Sequence, residues 1–331
     1  MLEILLQAVQ YPTEFFICIA VALFPIGIWM AIFLNKAEQK PFHILLTFIF
    51  GMMSAGIILF YQSFWGDEPL NFIFFGIEAY NFKANISSLV VGAVLISFVT
   101  YMAVGFLEEL LKHYAVVKAD KNIISSIDEA IELSIVAALG FAFLENIAYF
   151  YREFLGGGMS PEFWTLAIQR SIFVVFVHII CSAIYGYYYG VGIFAKPYMQ
   201  YKFSQNKKTF WFAELLHKVF HLKRAYVFRE RMMMTGLVVA TVLHGLYDFA
   251  MHQNPLLHFG DTVVRLHVIL LPVMLVGGIL FLTFLLKQKE NLEEFGTLEI
   301  EYVYKRIDEN EIKEVYNMKP RLSRFHRVEA V

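Results

Sequence analysis

Glu108 and Glu109 form an adjacent acidic pair, and Lys112 stands four residues after the first. Further along, Glu145 is followed by Asn146, His178 is followed four residues later by Ser182, and His244 four residues later by Asp248. All of these lie in strongly apolar runs. On insertion scales each Asp, Glu or Lys at a helix centre costs about 2.5–3.5 kcal/mol. For three Glu, one Asp and one Lys the total is roughly 12–17 kcal/mol, comparable with the whole stability of a domain. Groups that costly must face inward and satisfy one another.

Helical spacing shows how they meet. Glu108 and Lys112 share one face and can form an ion pair, while Glu109 points about 100° away. His178, Ser182, Gly186 and Gly190 make a four-residue stripe of one imidazole above small residues. Gly236, Ala240, His244, Asp248 and His252 make a second. Small residues let helices approach closely. Glu145 has no basic residue within four positions, so its partner comes from another helix, with His178 and His244 the candidates.

Carboxylates and imidazoles converging in a low-dielectric interior suit water activation: a Glu as general base or acid, an imidazole to orient water or protonate a leaving amine. The same types can hold zinc. Glu145, His178 and His244 would supply three N/O ligands and leave a fourth position for water. Spacing across separate helices does not choose between the two schemes.

The elements that must position these groups are membrane spans. Of 331 residues, 58% are hydrophobic and 17% charged, and the mean hydropathy is +0.57, which excludes an ordinary soluble enzyme. Apolar stretches near 15–34, 43–62, 86–111, 128–151, 168–194, 234–251 and 264–286 are each long enough to cross a bilayer as a helix. The reading is an all-α polytopic membrane protein of about seven transmembrane helices. Region 66–82, broken by Asp67, Glu68, Pro69 and Glu78, reads as an interfacial or re-entrant piece. Glu3 stands where a signal peptide would be basic, so the first span is expected to be retained.

Lys and Arg set the orientation. Segments 35–42, 112–127, 195–233 and 287–331 hold 23 of the 27, leaving Lys83, Arg152, Arg170 and Arg265 on the other side. That asymmetry places the N-terminus outside and the C-terminus in the cytoplasm. Residues 1–85 then form a two-helix membrane region with the interfacial segment. Residues 86–286 form the core, with a cytoplasmic insertion at 195–233, and 287–331 a charged cytoplasmic tail. Within the insertion, 209–231 reads as a basic amphipathic helix on the cytoplasmic leaflet. His217 and His221 on it are polar-face residues at a spacing that can also bind a metal. The run 298–304 in the tail is β-like. Cys18 and Cys181 lie in apolar runs and read as plain thiols. No basic stripe with stacking aromatics supports nucleic-acid binding.

The set Glu108-Glu109-x-x-Lys112, Gly140-Phe141-x-x-x-Glu145-Asn146, His178 with its Ser/Gly run and His244-Gly245-x-x-Asp248 resembles the PrsW family of intramembrane proteases, in order, over about 90–255. That family is related to the CAAX prenyl endopeptidases and their bacterial immunity-protein relatives. The resemblance implies a multi-pass plasma-membrane peptidase. Its partner would be a membrane-anchored protein substrate within the lipid bilayer, such as an anti-sigma factor, cut near its extracytoplasmic side. Carried over by motif, Glu108, Glu109, Glu145, His178 and His244 take the catalytic positions. Lys112 and Asp248 take supporting ones, and Asn146 and Ser182 are supporting candidates from the residues themselves.

The working expectation is that Glu108 or Glu145 activates water. His178 and His244 would assist, Glu109 and Lys112 set the charge balance, and Asp248 orient His244. The same buried groups also fit a proton- or ion-coupled transporter, or a non-catalytic membrane scaffold. Straight helices starting from one plane would leave Glu145 and His178 roughly 10 Å further out than Glu108 and His244. Convergence therefore demands tilt, a kink or uneven helix starts.

Overall fold

A computed structural model describes residues 7–33, 41–65, 90–120, 124, 126–194, 224–253, 256–259 and 262–294. Eight α-helices dominate it: α1 (Pro12–Phe33), α2 (Pro41–Trp65), α3 (Val90–Asp120), α4 (Ile127–Gly157), α5 (Pro161–Gln169), α6 (Val175–Phe194), α7 (Arg224–Gln253) and α8 (Leu266–Glu294). A π-helical turn, Arg170–Val174, joins α5 to α6 in one continuous rod. Between α7 and α8 lies an antiparallel hairpin, β1 (Leu256–Phe259) with β2 (Thr262–Arg265), pairing Leu256 with Arg265 and Phe259 with Thr262. This is an all-α polytopic membrane protein.

Among the described residues, six rods are long and apolar enough to cross a membrane: Pro12–Phe33, Pro41–Tyr61, Ile127–Gly157, Pro161–Phe194, Tyr226–His252 and Leu271–Gln288. The remaining expected span is α3, 31 residues long, whose second half carries Glu108, Glu109 and Lys112.

Local chemistry explains the helix ends. Ser126 caps α4 by accepting the Glu129 N–H at 3.1 Å, the Ser-x-x-Glu pattern of a helix start. At the other end Gly158 takes φ 64°, and its N–H closes on the Phe154 carbonyl at 2.7 Å. Ser160 and Pro161 start α5 at once, so the chain reverses in three residues.

α4 is the central rod, with 83% of its apolar window buried against 11% for α8. α1 lays Cys18, Ala22 and Ile26 into the main core beside Leu139, Phe143 and Phe150. Both cysteines are free and buried, as read from the sequence.

Close crossings are built on glycine. A Cβ on Gly140 would run into the Phe48 carbonyl oxygen, and one on Gly51 into that of Ala137. α2 and α4 therefore cross backbone to backbone. α3 and α7 do the same beside the acidic pair: a Cβ on Gly105 would sit 3.0 Å from the Gly245 nitrogen, and one on Gly245 2.9 Å from Met102 Cα. Gly245→Val is expected to force α3 from α7 at a cost of about 1–3 kcal/mol. Gly277→Ala, with nothing within 4 Å of the added carbon, serves as the control. Thermal melts in detergent check both.

The basic stretch 209–231 does not form a separate surface helix where it is described. Residues 224–231 are the first turns of α7, with Val227 and Phe228 buried. Neither Gly nor Pro interrupts the chain from Arg224 to Thr235, so the helix runs straight into the span. Region 66–82, His217, His221 and the β-like run 298–304 lie outside the described residues.

Candidate active site

Four helices supply the polar cluster: α3 gives Glu108, Glu109 and Lys112, α4 gives Glu145 and Asn146, α6 gives His178, and α7 gives His244 and Asp248. Glu108, Glu109, Lys112, Asn146, His178, Ser182 and His244 are all buried. The helices meet from uneven levels. Glu145 lies eighteen residues into α4 and His244 twenty into α7, whereas Glu108 stands twelve before α3 ends. Uneven ends thus remove the offset expected from a common starting plane.

Glu109 is the hub. One oxygen pairs with Lys112 and also faces His244 Nδ1 at 2.8 Å. His113, one turn on from Glu109, brings Nε2 to 3.7 Å from the other oxygen and stacks on Tyr185. Lys112 Nζ reaches His178 Nδ1 at 3.1 Å and lies 4.8 Å above the Phe141 ring. On the far side His178 Nε2 stands 3.1 Å from Glu145 Oε2. The two imidazoles meet edge to face, centroids 4.8 Å apart.

These partners fix tautomers. Glu109 only accepts, so His244 carries a proton on Nδ1 and turns Nε2 toward Glu108 and Asp248. The Lys112 ammonium only donates, so His178 accepts at Nδ1 and donates from Nε2 to Glu145.

Two expectations change. Asp248 was to orient His244, but its Oδ2 is 3.6 Å from Nε2, beyond hydrogen-bond reach, and Glu109 does the orienting through Nδ1. The metal set read from the sequence was Glu145, His178 and His244. The atoms gathered within 4.8 Å of one another belong to Glu108, His178 and His244. Glu145 stands behind, held by His178 and by Arg170, whose Nη2 is 2.9 Å from Oε2.

Arg170 escaped the sequence reading because it was counted as a charge flanking the membrane. Its Nε donates to Asn146 Oδ1 at 2.8 Å, and its guanidinium lies 3.7 Å from the centre of the Tyr149 ring. His113 was missed as well; its place four residues after Glu109 was the signal. Ser182 is buried, and its hydroxyl has no hydrogen-bond partner among the described residues.

The cluster fits a divalent cation in its donor chemistry. One carboxylate and two imidazoles converge, Glu108 Oε2 has no hydrogen-bond partner among the described residues, and His244 Nε2 is 3.4 Å from it. Glu109 behind His244 is the acid–imidazole support usual for a metal ligand. Cation binding would release the His178 Nε2 proton, with the Lys112 ammonium passing one to Nδ1 so that the ring stays neutral.

A family model described as PrsW family intramembrane metalloprotease matches residues 39–233. The chain belongs to the PrsW family. Protease PrsW of Clostridioides difficile (strain 630) is 24% identical over 155 residues, which cover 46% of this chain and 51% of that protein. The chain thus spans about half the length of the curated relative it matches. No solved structure matches it. The PrsW match begins before α2, earlier than the motifs suggested, and ends before His244 and Asp248. His244 joins the cluster by geometry, through its contacts with Glu108 and Glu109.

Proposed function

We propose that this PrsW-family chain is an intramembrane endopeptidase that hydrolyses a peptide bond of a membrane-anchored protein. The observation that carries this is the meeting of Glu108, His178 and His244 within 4.8 Å, inside a bundle of apolar helices. With family membership, such a site reads as hydrolytic. The proposed topology has seven spans, α3 included, with the N-terminus outside and the C-terminus cytoplasmic, on the strength of 23 of 27 basic residues. The proposed substrate is anti-sigma-factor-like, cut near its extracytoplasmic side in the plasma membrane.

Glu108, His178 and His244 are the residues that would hold a zinc ion. Bound there, zinc supplies Lewis-acid polarisation of the scissile carbonyl and a water acidified toward neutral pH. The chain's own groups do the rest. Glu145, at 14% the most exposed of the three glutamates, takes the proton of the attacking water. Glu145 then returns that proton toward the leaving amine. Glu109 holds His244 in its tautomer, and Lys112 balances Glu109.

Glu145→Gln is expected to lower cleavage of a co-expressed single-span substrate by about 10²–10⁴-fold, the range for a lost general base, and to keep bound zinc. His178→Ala is expected to lose both. Immunoblots for the cut product and metal analysis of the purified variants check this. Full cleavage in both variants, or full activity after exhaustive chelation, would end the respective assignments. Proton flux into proteoliposomes without any cleavage would assign the cluster to transport.

A further inference from the structure

Eight residues separate Arg170 from His178 on the rod that runs from α5 into α6. On an uninterrupted α-helix, eight residues leave two side chains about 80° out of phase. Yet both converge on one atom: Arg170 Nη2 at 2.9 Å and His178 Nε2 at 3.1 Å from Glu145 Oε2. The π turn Arg170–Val174 reconciles them. The Val175 N–H reaches back five residues to the Arg170 carbonyl, and a turn of that kind absorbs one extra residue. Arg170 thus stands where a residue seven before His178 would stand, about 20° out of phase.

The rest of the molecule supports the turn. The Ser171 carbonyl accepts the Trp29 indole N–H from α1 at 3.0 Å, so an oxygen within the irregular turn is satisfied from a neighbouring helix. Arg170 is only 9% exposed and engages three α4 side chains at once: Glu145, Asn146 and Tyr149.

We infer that Arg170 is a positioning residue of the active site, brought into register by the π turn, and that it fixes the Glu145 carboxylate against His178 Nε2. This rests on the hydrolytic reading above for its catalytic consequence, though not for its geometry. A guanidinium suits the task because one rigid fork reaches Glu145 through Nη2 and Asn146 through Nε. An ammonium offers only a point charge.

Kinetics on purified chain with a cleavable single-span substrate test it. Arg170→Gln is expected to lower kcat by about 10–100-fold, the range for an outer-shell partner, with KM unchanged. Arg170→Lys should recover part of the loss. The distinguishing variant is deletion of Ile172, a membrane-facing residue 49% exposed. Removing the extra residue turns the π turn into α-helix and leaves Arg170 seven residues before His178, so cleavage should match wild type. Inserting one Ala after Ile172 should instead reduce it to the Arg170→Gln level.

Wild-type kcat in Arg170→Gln overturns the inference, as does loss of cleavage in an Ile172-deleted protein that melts like wild type. Should the deletion fail to fold, a thermal double-mutant cycle decides. Arg170→Gln and Glu145→Gln shifts must be clearly non-additive, and additive shifts overturn the pairing. A wild-type chain that cleaves nothing removes the protease reading while the cycle still judges Arg170.

Discussion

Glu108→Gln abolishes cleavage and leaves the protein folded. Glu108 contributes the carboxylate of the converging trio, and its Oε2 has no hydrogen-bond partner among the described residues. That combination marks a group kept for chemistry. Gln removes a buried charge without leaving a partner stranded, so the melting temperature is expected to hold or rise. Loss of activity should exceed about 100-fold, since even outer-shell partners of such sites cost 10–100-fold. Bound zinc should fall together with activity. Purified wild type and variant, compared by cleavage, melting and metal analysis, give all three readings. A folded Glu108→Gln protein with wild-type cleavage would remove Glu108 from the site.

Lys112→Met should do the opposite and unfold the bundle. Lys112 and Glu109 are both wholly buried and paired with each other. Removing the ammonium leaves Glu109 charged in a medium that cannot solvate it, at a cost of about 3–5 kcal/mol. It also removes the donor at His178 Nδ1. The double variant Lys112→Met/Glu109→Leu deletes both charges and should be more stable than Lys112→Met alone, by the logic that an apolar pair can replace a buried ion pair. Denaturant titrations of the three proteins in detergent check the order. A Lys112→Met protein as stable as wild type would show that the pair carries no structural weight.

Much of the site was legible in the sequence because membrane insertion penalises charge. Glu108, Glu109, Glu145, His178 and His244 stood out against apolar runs, and the small-residue stripes showed which faces pack closely: Gly186 against Ala130 and Ile131, Gly236 against Tyr185 and Tyr188. Helix-to-helix partnership was harder to read. Spacing along one helix says nothing about which neighbour arrives at a given depth. Glu145 was therefore placed among the metal ligands, and the trio instead takes Glu108. Asp248 looked like the orienter of His244 because it lies one turn away, yet Glu109 on α3 comes nearer to the ring. Arg170 was hidden by a rule that usually works. Basic residues at span ends mark topology, and nothing in Arg-Ser-Ile-Phe-Val signals a π turn. Residues 224–231 of the amphipathic stretch were read as separate because their charges differ from those of the span, although no breaker divides residues 224–235.

The most direct measurement follows the oxygen of the attacking water. Membrane proteins that accumulate uncut in cells carrying Glu108→Gln identify a substrate. That substrate is then reconstituted with purified wild-type chain in liposomes made up in ¹⁸O-labelled water. One new carboxyl terminus bearing ¹⁸O, absent with Glu108→Gln or His244→Ala, is the result expected of a hydrolytic Glu–His centre. Label incorporated equally by wild type and both variants would contradict it.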